Sequence, residues 1–259
     1  MSSIPAIDVR GLNRSFGGLR ATANVSFSIE QGTVTALIGP NGAGKTTLFN
    51  LITNLFTADS GEVYFHGTRI DNLPPVEIAE LGLIRTFQTA RVFPGMTVLE
   101  NLLVGRHHKV RHGVLQQMLW LPSAKREEAG LRERADTLLD LVGLSRYRDT
   151  HAADLPMGAK KLVEVLRALM AQPSVLLLDE PAAGLNDTET AELAALLLAI
   201  RETGITILVV EHNMSLVMGI ADQIVVLEAG AVIAQGTPEE IQRNPRVIRA
   251  YLGEEVSPC

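Results

Sequence analysis

Two hydrophobic textures alternate along this chain. Unbroken apolar runs rich in β-branched residues, at 34–38, 174–178, 205–210 and 223–227, are separated by segments whose apolar positions recur at helical spacing. That alternation predicts an α/β fold whose sheet is covered on both sides. Shorter strands are expected around 7–12, 23–29 and 61–66, ended by glycines, as an antiparallel β addition. Between 88 and about 155 the strand signals stop, and leucine-spaced, charge-faced segments at 97–104, 114–119 and 123–142 predict an inserted helical lobe. Thr97 and Glu100 have capping-box spacing, Thr237-Pro238-Glu239-Glu240 reads as a helix start, and 244–253 as one more short helix. The expected organisation is one unit over 1–259, with a helical subdomain inserted at 88–170 and a helical tail at 237–259.

Composition narrows the function. The longest apolar stretches, 175–178, 205–210 and 193–200, fall far short of the ~18 apolar residues of a spanning helix. Twenty-three basic against 29 acidic residues give a net charge of −6, which disfavours broad nucleic-acid binding, so no nucleic-acid partner is expected. The first eight residues lack a basic segment followed by an apolar core, so no signal peptide is expected. The single cysteine, Cys259, excludes an internal disulfide framework and fits a reducing, cytosolic setting.

The chemistry gathers at strand ends. Gly39, Pro40, Asn41, Gly42, Ala43, Gly44, Lys45 and Thr46 fit G-x-x-x-x-G-K-[ST], directly after one predicted strand and before a helix pattern at 47–55 that Thr47 opens. In that context glycines let successive backbone N–H groups curl around phosphate oxygens, the helix N-terminus adds positive potential, and Lys45 reaches the outer phosphates. Thr46 is placed to ligate Mg²⁺. The apolar run 174–178 delivers two carboxylates, Asp179 and Glu180, at its end. Asp179 is the expected metal holder and Glu180 the group that orients and deprotonates an attacking water.

These motifs are shared by several phosphate-loop classes, and a guanine-reading Asn-Lys-x-Asp is missing. Along essentially its whole length the sequence resembles the ATP-binding subunits of ABC transporters. The resemblance implies a P-loop NTPase core, a RecA-like mixed sheet with an antiparallel β addition, and an inserted α-helical subdomain. Arg85-Thr86-Phe87-Gln88 matches the stretch whose glutamine contacts Mg²⁺ or the attacking water. His212, after Val209-Val210-Glu211, matches the histidine that bonds the γ-phosphate. Phe16 matches the aromatic that stacks on adenine, the alternative being a core aromatic. The family signature corresponds to Leu155-Pro156-Met157-Gly158-Ala159. Here the chain departs from the pattern, because Pro156 stands where a serine hydroxyl would touch the γ-phosphate and brings neither hydroxyl nor N–H. Lys160 and Lys161 follow it and are read equally as a solvated basic face or a nucleotide contact. Leu185 and Asn186 fall on the dimer-contact loop, with asparagine replacing the usual aspartate. In the family each signature completes the site of the other subunit, so a dimer is implied, with ATP and Mg²⁺ as cofactors.

Within the family the same segments, with Glu211-His212-Asn213-Met214 and the ending Asn244-Pro245…Tyr251-Leu252-Gly253, look like the ATPase subunits of high-affinity branched-chain amino-acid importers. That likeness implies a paralogous ATPase partner (or a homodimer in isolation), two membrane permease subunits, an external solute-binding protein, and a peripheral place on the cytoplasmic face of the plasma membrane. Importers of amides, urea or aromatic acids, and a mainly regulatory half-site with weak turnover, stay open as alternatives. Arg106-His107-His108-Lys109-Val110-Arg111-His112 is read as a basic face, either solvated or meeting membrane partners or anionic headgroups. His108 and His112 have helical i, i+4 spacing but no evident third ligand. Trp120 reads equally as core or contact.

Overall fold

A computed structural model describes residues 4–86, 92–106 and 122–252. A six-stranded sheet runs β10 (Ala231–Gly236), β9 (Gln223–Glu228), β3 (Val34–Ile38), β8 (Thr206–Val210), β7 (Val175–Asp179), β6 (Leu83–Arg85). All neighbours are parallel except β10, which pairs antiparallel with β9. A second, antiparallel sheet has the order β2 (Leu19–Ile29), β1 (Ile7–Phe16), β4 (Ser60–Phe65), β5 (Thr68–Arg69).

The period-2 geometry of the buried strands divides the core in two. Val34, Ala36 and Ile38, with Leu176, Leu178, Ile207 and Val209, pack on the side carrying the long helices. Leu37, Val175, Leu177, Leu208 and Val210 face the antiparallel sheet and Phe49 of the helix Lys45–Ile52. Central strands apolar at every position are the consequence of burial on both faces. β10 escaped the sequence expectation because none of its residues is fully buried, as suits an edge strand. β6 and β5, at three and two residues, are too short to show a period.

Among the described residues between 92 and 170, the α-helices are Val98–Val104, Pro122–Leu141 and Met157–Met170. The 114–119 segment and the His108/His112 pair lie outside the described residues, as do Trp120 and Cys259. The capping boxes at Thr97/Glu100 and Thr237/Glu240 are both formed. The helix after the phosphate loop starts at Lys45 and ends at Ile52, two residues earlier than expected at its start and three at its end. The tail holds the helices Pro238–Gln242 and Pro245–Leu252. Among the described residues no helix is long and apolar enough to cross a membrane.

Parallel strands bring their C-terminal ends to one edge. Leu37 of β3 and Asp179 of β7 both register with Val210 of β8, so the loops starting at Gly39, Glu180 and Glu211 leave the sheet side by side. That edge is where open α/β sheets bind ligands.

Candidate functional site

The phosphate loop is wedged between two strands. Gly39 has φ +151° and an added Cβ would lie 2.1 Å from the Leu227 carbonyl oxygen; Gly44 has φ +100° and its Cβ would lie 2.3 Å from that of Ala21. Only glycine fits such approaches. No side chain caps the helix that Gly44 opens, so its first N–H groups are not taken up by a cap. The Lys45 ammonium is buried and folds back on the loop, donating to the carbonyls of Gly39 at 2.6 Å and Pro40 at 3.1 Å. Burial lowers its pKa, opposed by the charges of Glu180 and Asp179.

Asp179 is 1% exposed. One carboxylate oxygen, Oδ2, accepts from Arg85 Nη2 at 2.9 Å, while Oδ1 is buried and has no partner among the described residues. Burial is the leading cause raising the Asp179 pKa, and Arg85 opposes it. Arg85 also donates to Asn50 Oδ1 at 2.6 Å and lies 5.5 Å over the Phe49 ring. Its guanidinium thus ties the helix after the phosphate loop to the acid. A buried, unpartnered carboxylate oxygen is costly unless a cation meets it. Asp179 offers a hard carboxylate oxygen and Thr46, which lines the cavity described below, a hydroxyl; this is the donor chemistry that Mg²⁺ prefers, so the residues present fit that ion.

Glu180 follows at φ +48°, a left-handed conformation that costs a non-glycine residue about 1 kcal/mol. Its N–H donates to Val210 O at 2.9 Å, which holds the turn. Glu180, Phe16, Lys45, Thr46 and Thr47 line one cavity of 560 Å³, of a size for a nucleotide. Asn41, Gly42, Ala43 and Gly44 line it as well. Phe16 is 41% exposed, edge-on to Phe56 at 5.6 Å with the Arg14 guanidinium 4.9 Å from its ring. The core alternative for Phe16 therefore fails.

The remaining expected residues sit around this centre. His212 is exposed just beyond β8 and is outside the cavity lining; its backbone N–H donates to Glu211 Oε2 at 3.1 Å. Gln88 and Phe87 lie outside the described residues. Leu155 and Gly158 are buried and Met157 is 52% exposed. Pro156 is the N-cap of the helix Met157–Met170, which begins two residues before the expected 159. Leu185 packs on the core, and exposed Asn186 caps the helix Asp187–Glu202 in a capping box with Glu189.

Four contributions were missed from sequence. Arg85 was read only as part of a motif, although it is the cation on Asp179. Lys161 is no solvated face: it is buried, with its ammonium 3.4 Å from the Glu180 carbonyl oxygen. Glu189 accepts from Gly158 N–H at 3.2 Å and from Asn186 N–H at 3.1 Å, so it bridges the dimer-loop and signature segments; its Asn-x-x-Glu spacing was the available signal. Glu211 is fully buried, and a lone carboxylate directly after an apolar strand was its signal.

The ABC transporter family matches residues 22–183, and the branched-chain amino acid ATP-binding cassette transporter family matches 231–257. The high-affinity branched-chain amino acid transport ATP-binding protein LivG of Salmonella typhimurium is 45% identical over 97% of this chain and 99% of its own. BraF of Pseudomonas aeruginosa, which carries the same description, is 44% identical over 97% of this chain and 99% of its own. A nucleotide-free ATP-binding cassette from an ABC transporter superposes with TM-score 0.83 at 37% identity, over 96% of this chain and 100% of that one. The ADP conformation of the cassette MJ1267 gives TM-score 0.84 at 36% identity, over 96% and 99%.

Proposed function

Since this chain belongs to the ABC transporter family, as an ATP-binding cassette with ATPase chemistry, we propose that it powers uptake of branched-chain amino acids through separate membrane subunits. Its two phosphate-loop partners, this chain and a paralogue, clamp two ATP molecules, each held by one subunit's loop and the other's signature. Two permease subunits and an external solute-binding protein complete the importer, with this chain on the cytoplasmic face of the plasma membrane. The 44–45% identity to LivG and BraF supports this substrate class over amides, urea or aromatic acids.

The observation that carries the reading is the buried Oδ1 of Asp179, which has no partner among the described residues, on a carboxylate whose charge opposes the lowering of the Lys45 pKa by burial. In this mechanism the loop amides and Lys45 bind the triphosphate, and Phe16 stacks on adenine. Thr46, Asp179 and Gln88 would hold Mg²⁺, which when bound neutralises the β- and γ-phosphate charge. Glu180 orients the attacking water and accepts its proton, and His212 donates to the γ-phosphate. Closure of the dimer does work on the membrane subunits through differential binding to closed and open states. A cavity of 280 Å³ between β6 and the helix Val98–Val104, lined by Ile84, Arg85, Phe93, Val104 and Arg167, is a fitting seat for a membrane subunit, because Arg85 also grips Asp179.

In the complex purified with its membrane and ATPase partners, Glu180→Gln binds ATP and loses about 10²–10⁴-fold in turnover. Undiminished turnover overturns the assignment. A second reading, a mainly regulatory half-site, is favoured by two features of the signature: Pro156 offers no donor, and the Gly158 N–H is already engaged by Glu189. Trapping ATP in the heterodimer and finding equal turnover at both half-sites removes it.

A further inference from the structure

We infer that Glu211 is a positioning residue for ATP hydrolysis: one buried carboxylate that holds the loop of Glu180 and the loop of His212 in a common frame. The inference rests on the reading of Glu180 and His212 given above. Glu211 follows β8 directly and is 0% exposed. Its two oxygens point to two different loops. Oε1 accepts from the Ala182 N–H at 2.7 Å, two residues beyond Glu180; Oε2 accepts from the N–H groups of His212 at 3.1 Å and Asn213 at 3.2 Å.

The contrast with Asp179 is informative. Asp179 keeps one buried oxygen without a partner among the described residues, as suits a metal holder, whereas both Glu211 oxygens are spent on backbone N–H groups. A carboxylate so used acts as an anchor in the low-dielectric edge of the sheet, where charge-assisted bonds are strong. Glu180 needs such an anchor, because its left-handed φ of +48° persists only if the surrounding structure over-determines it. On the N-terminal side the Glu180 N–H is held by Val210 O at 2.9 Å, and on the C-terminal side the chain is held by Glu211 through Ala182. Because the same carboxylate orders His212, a shift of one loop is transmitted to the other.

The test uses the full chain in its complex with membrane and ATPase partners. Glu211→Gln preserves volume but places an amide NH₂ against backbone N–H donors; Glu211→Asp keeps the charge and is one methylene too short to span both loops. If the catalytic groups move by about 1 Å, turnover falls by about 100-fold. The expected result is that kcat falls by that order in Glu211→Gln and less in Glu211→Asp. KM for ATP and the thermal protection given by ATP stay near wild type. Adding Glu211→Gln to Glu180→Gln should lower the residual rate by much less than Glu211→Gln lowers that of the unaltered chain, since only the contribution through His212 remains to be lost. Unchanged kcat in both Glu211 variants overturns the inference, as does a parallel loss of kcat and ATP protection, which marks a merely structural staple. A multiplicative loss in the double variant also overturns it. Should Glu180→Gln alone leave turnover intact, the underlying catalytic reading fails instead, which separates the two failures. If Glu211→Gln does not fold, Glu211→Asp carries the same readout.

Discussion

The phosphate-loop side of the site and the signature side are built on opposite principles. At the first, binding capacity is left unused: the helix after Gly44 lacks a side-chain cap, Lys45 and Glu180 line a cavity, and Asp179 keeps an oxygen without a partner among the described residues. At the second, the groups are already satisfied within the chain. Pro156 brings no donor, Glu189 takes up the Gly158 N–H, and Lys161 is turned inward to Glu180. On the proposed function, nucleotide binding is prepared in the single chain, whereas a signature contact in trans through the Gly158 N–H would have to displace Glu189 first.

Three substitutions probe this contrast. The largest effect belongs to Arg85→Met, which strips the cation from a carboxylate that is 1% exposed. Removing one member of a buried pair costs about 3–5 kcal/mol, to be read as a lower midpoint in denaturant. The loss should shrink when ATP and Mg²⁺ are present; an equal loss under both conditions would mean that Asp179 does not face the metal. Next is Phe16→Ala. Losing an aromatic under a base costs about 1–3 kcal/mol, so ATP affinity should fall about tenfold or more while inorganic triphosphate binds as before. A matching loss for both ligands, measured by calorimetry, would place Phe16 in the scaffold rather than on adenine.

The smallest effect is that of Glu189→Ala. It removes a capping box, a cost of about 1 kcal/mol in stability, yet frees the Gly158 N–H. ATP-driven association of the two subunits, followed by sedimentation, should therefore tighten although the chain itself is less stable. Weaker association would show that Glu189 supports the interface instead of competing for the signature amide.

What was readable in the sequence follows from how local each feature is. The strands β3, β7, β8 and β9 are apolar at consecutive positions and were expected within about one residue of where they lie. The phosphate loop is a contiguous motif, and its glycines meet strands β9 and β2 as close backbone approach requires. The Arg85–Asp179 pair, 94 residues apart, exists only because β6 and β7 are neighbours, and no spacing announces it. The same holds for Glu211 and Ala182, which meet across the β7–β8 register, and for Glu189 and Gly158, 31 residues apart. Sequence singled out the groups expected to do chemistry on a ligand and missed those that hold such groups in place.

On the proposed function, the buried Oδ1 of Asp179, without a partner among the described residues, is where the triphosphate's metal belongs. Calorimetric titration of ATP into the full-length chain and into Asp179→Asn, each with and without Mg²⁺, tests it most directly. Mg²⁺ should strengthen ATP binding to the unaltered chain and lose that effect in Asp179→Asn, whose metal-free affinity for ATP is retained. An undiminished Mg²⁺ effect in the variant would place the metal away from Asp179.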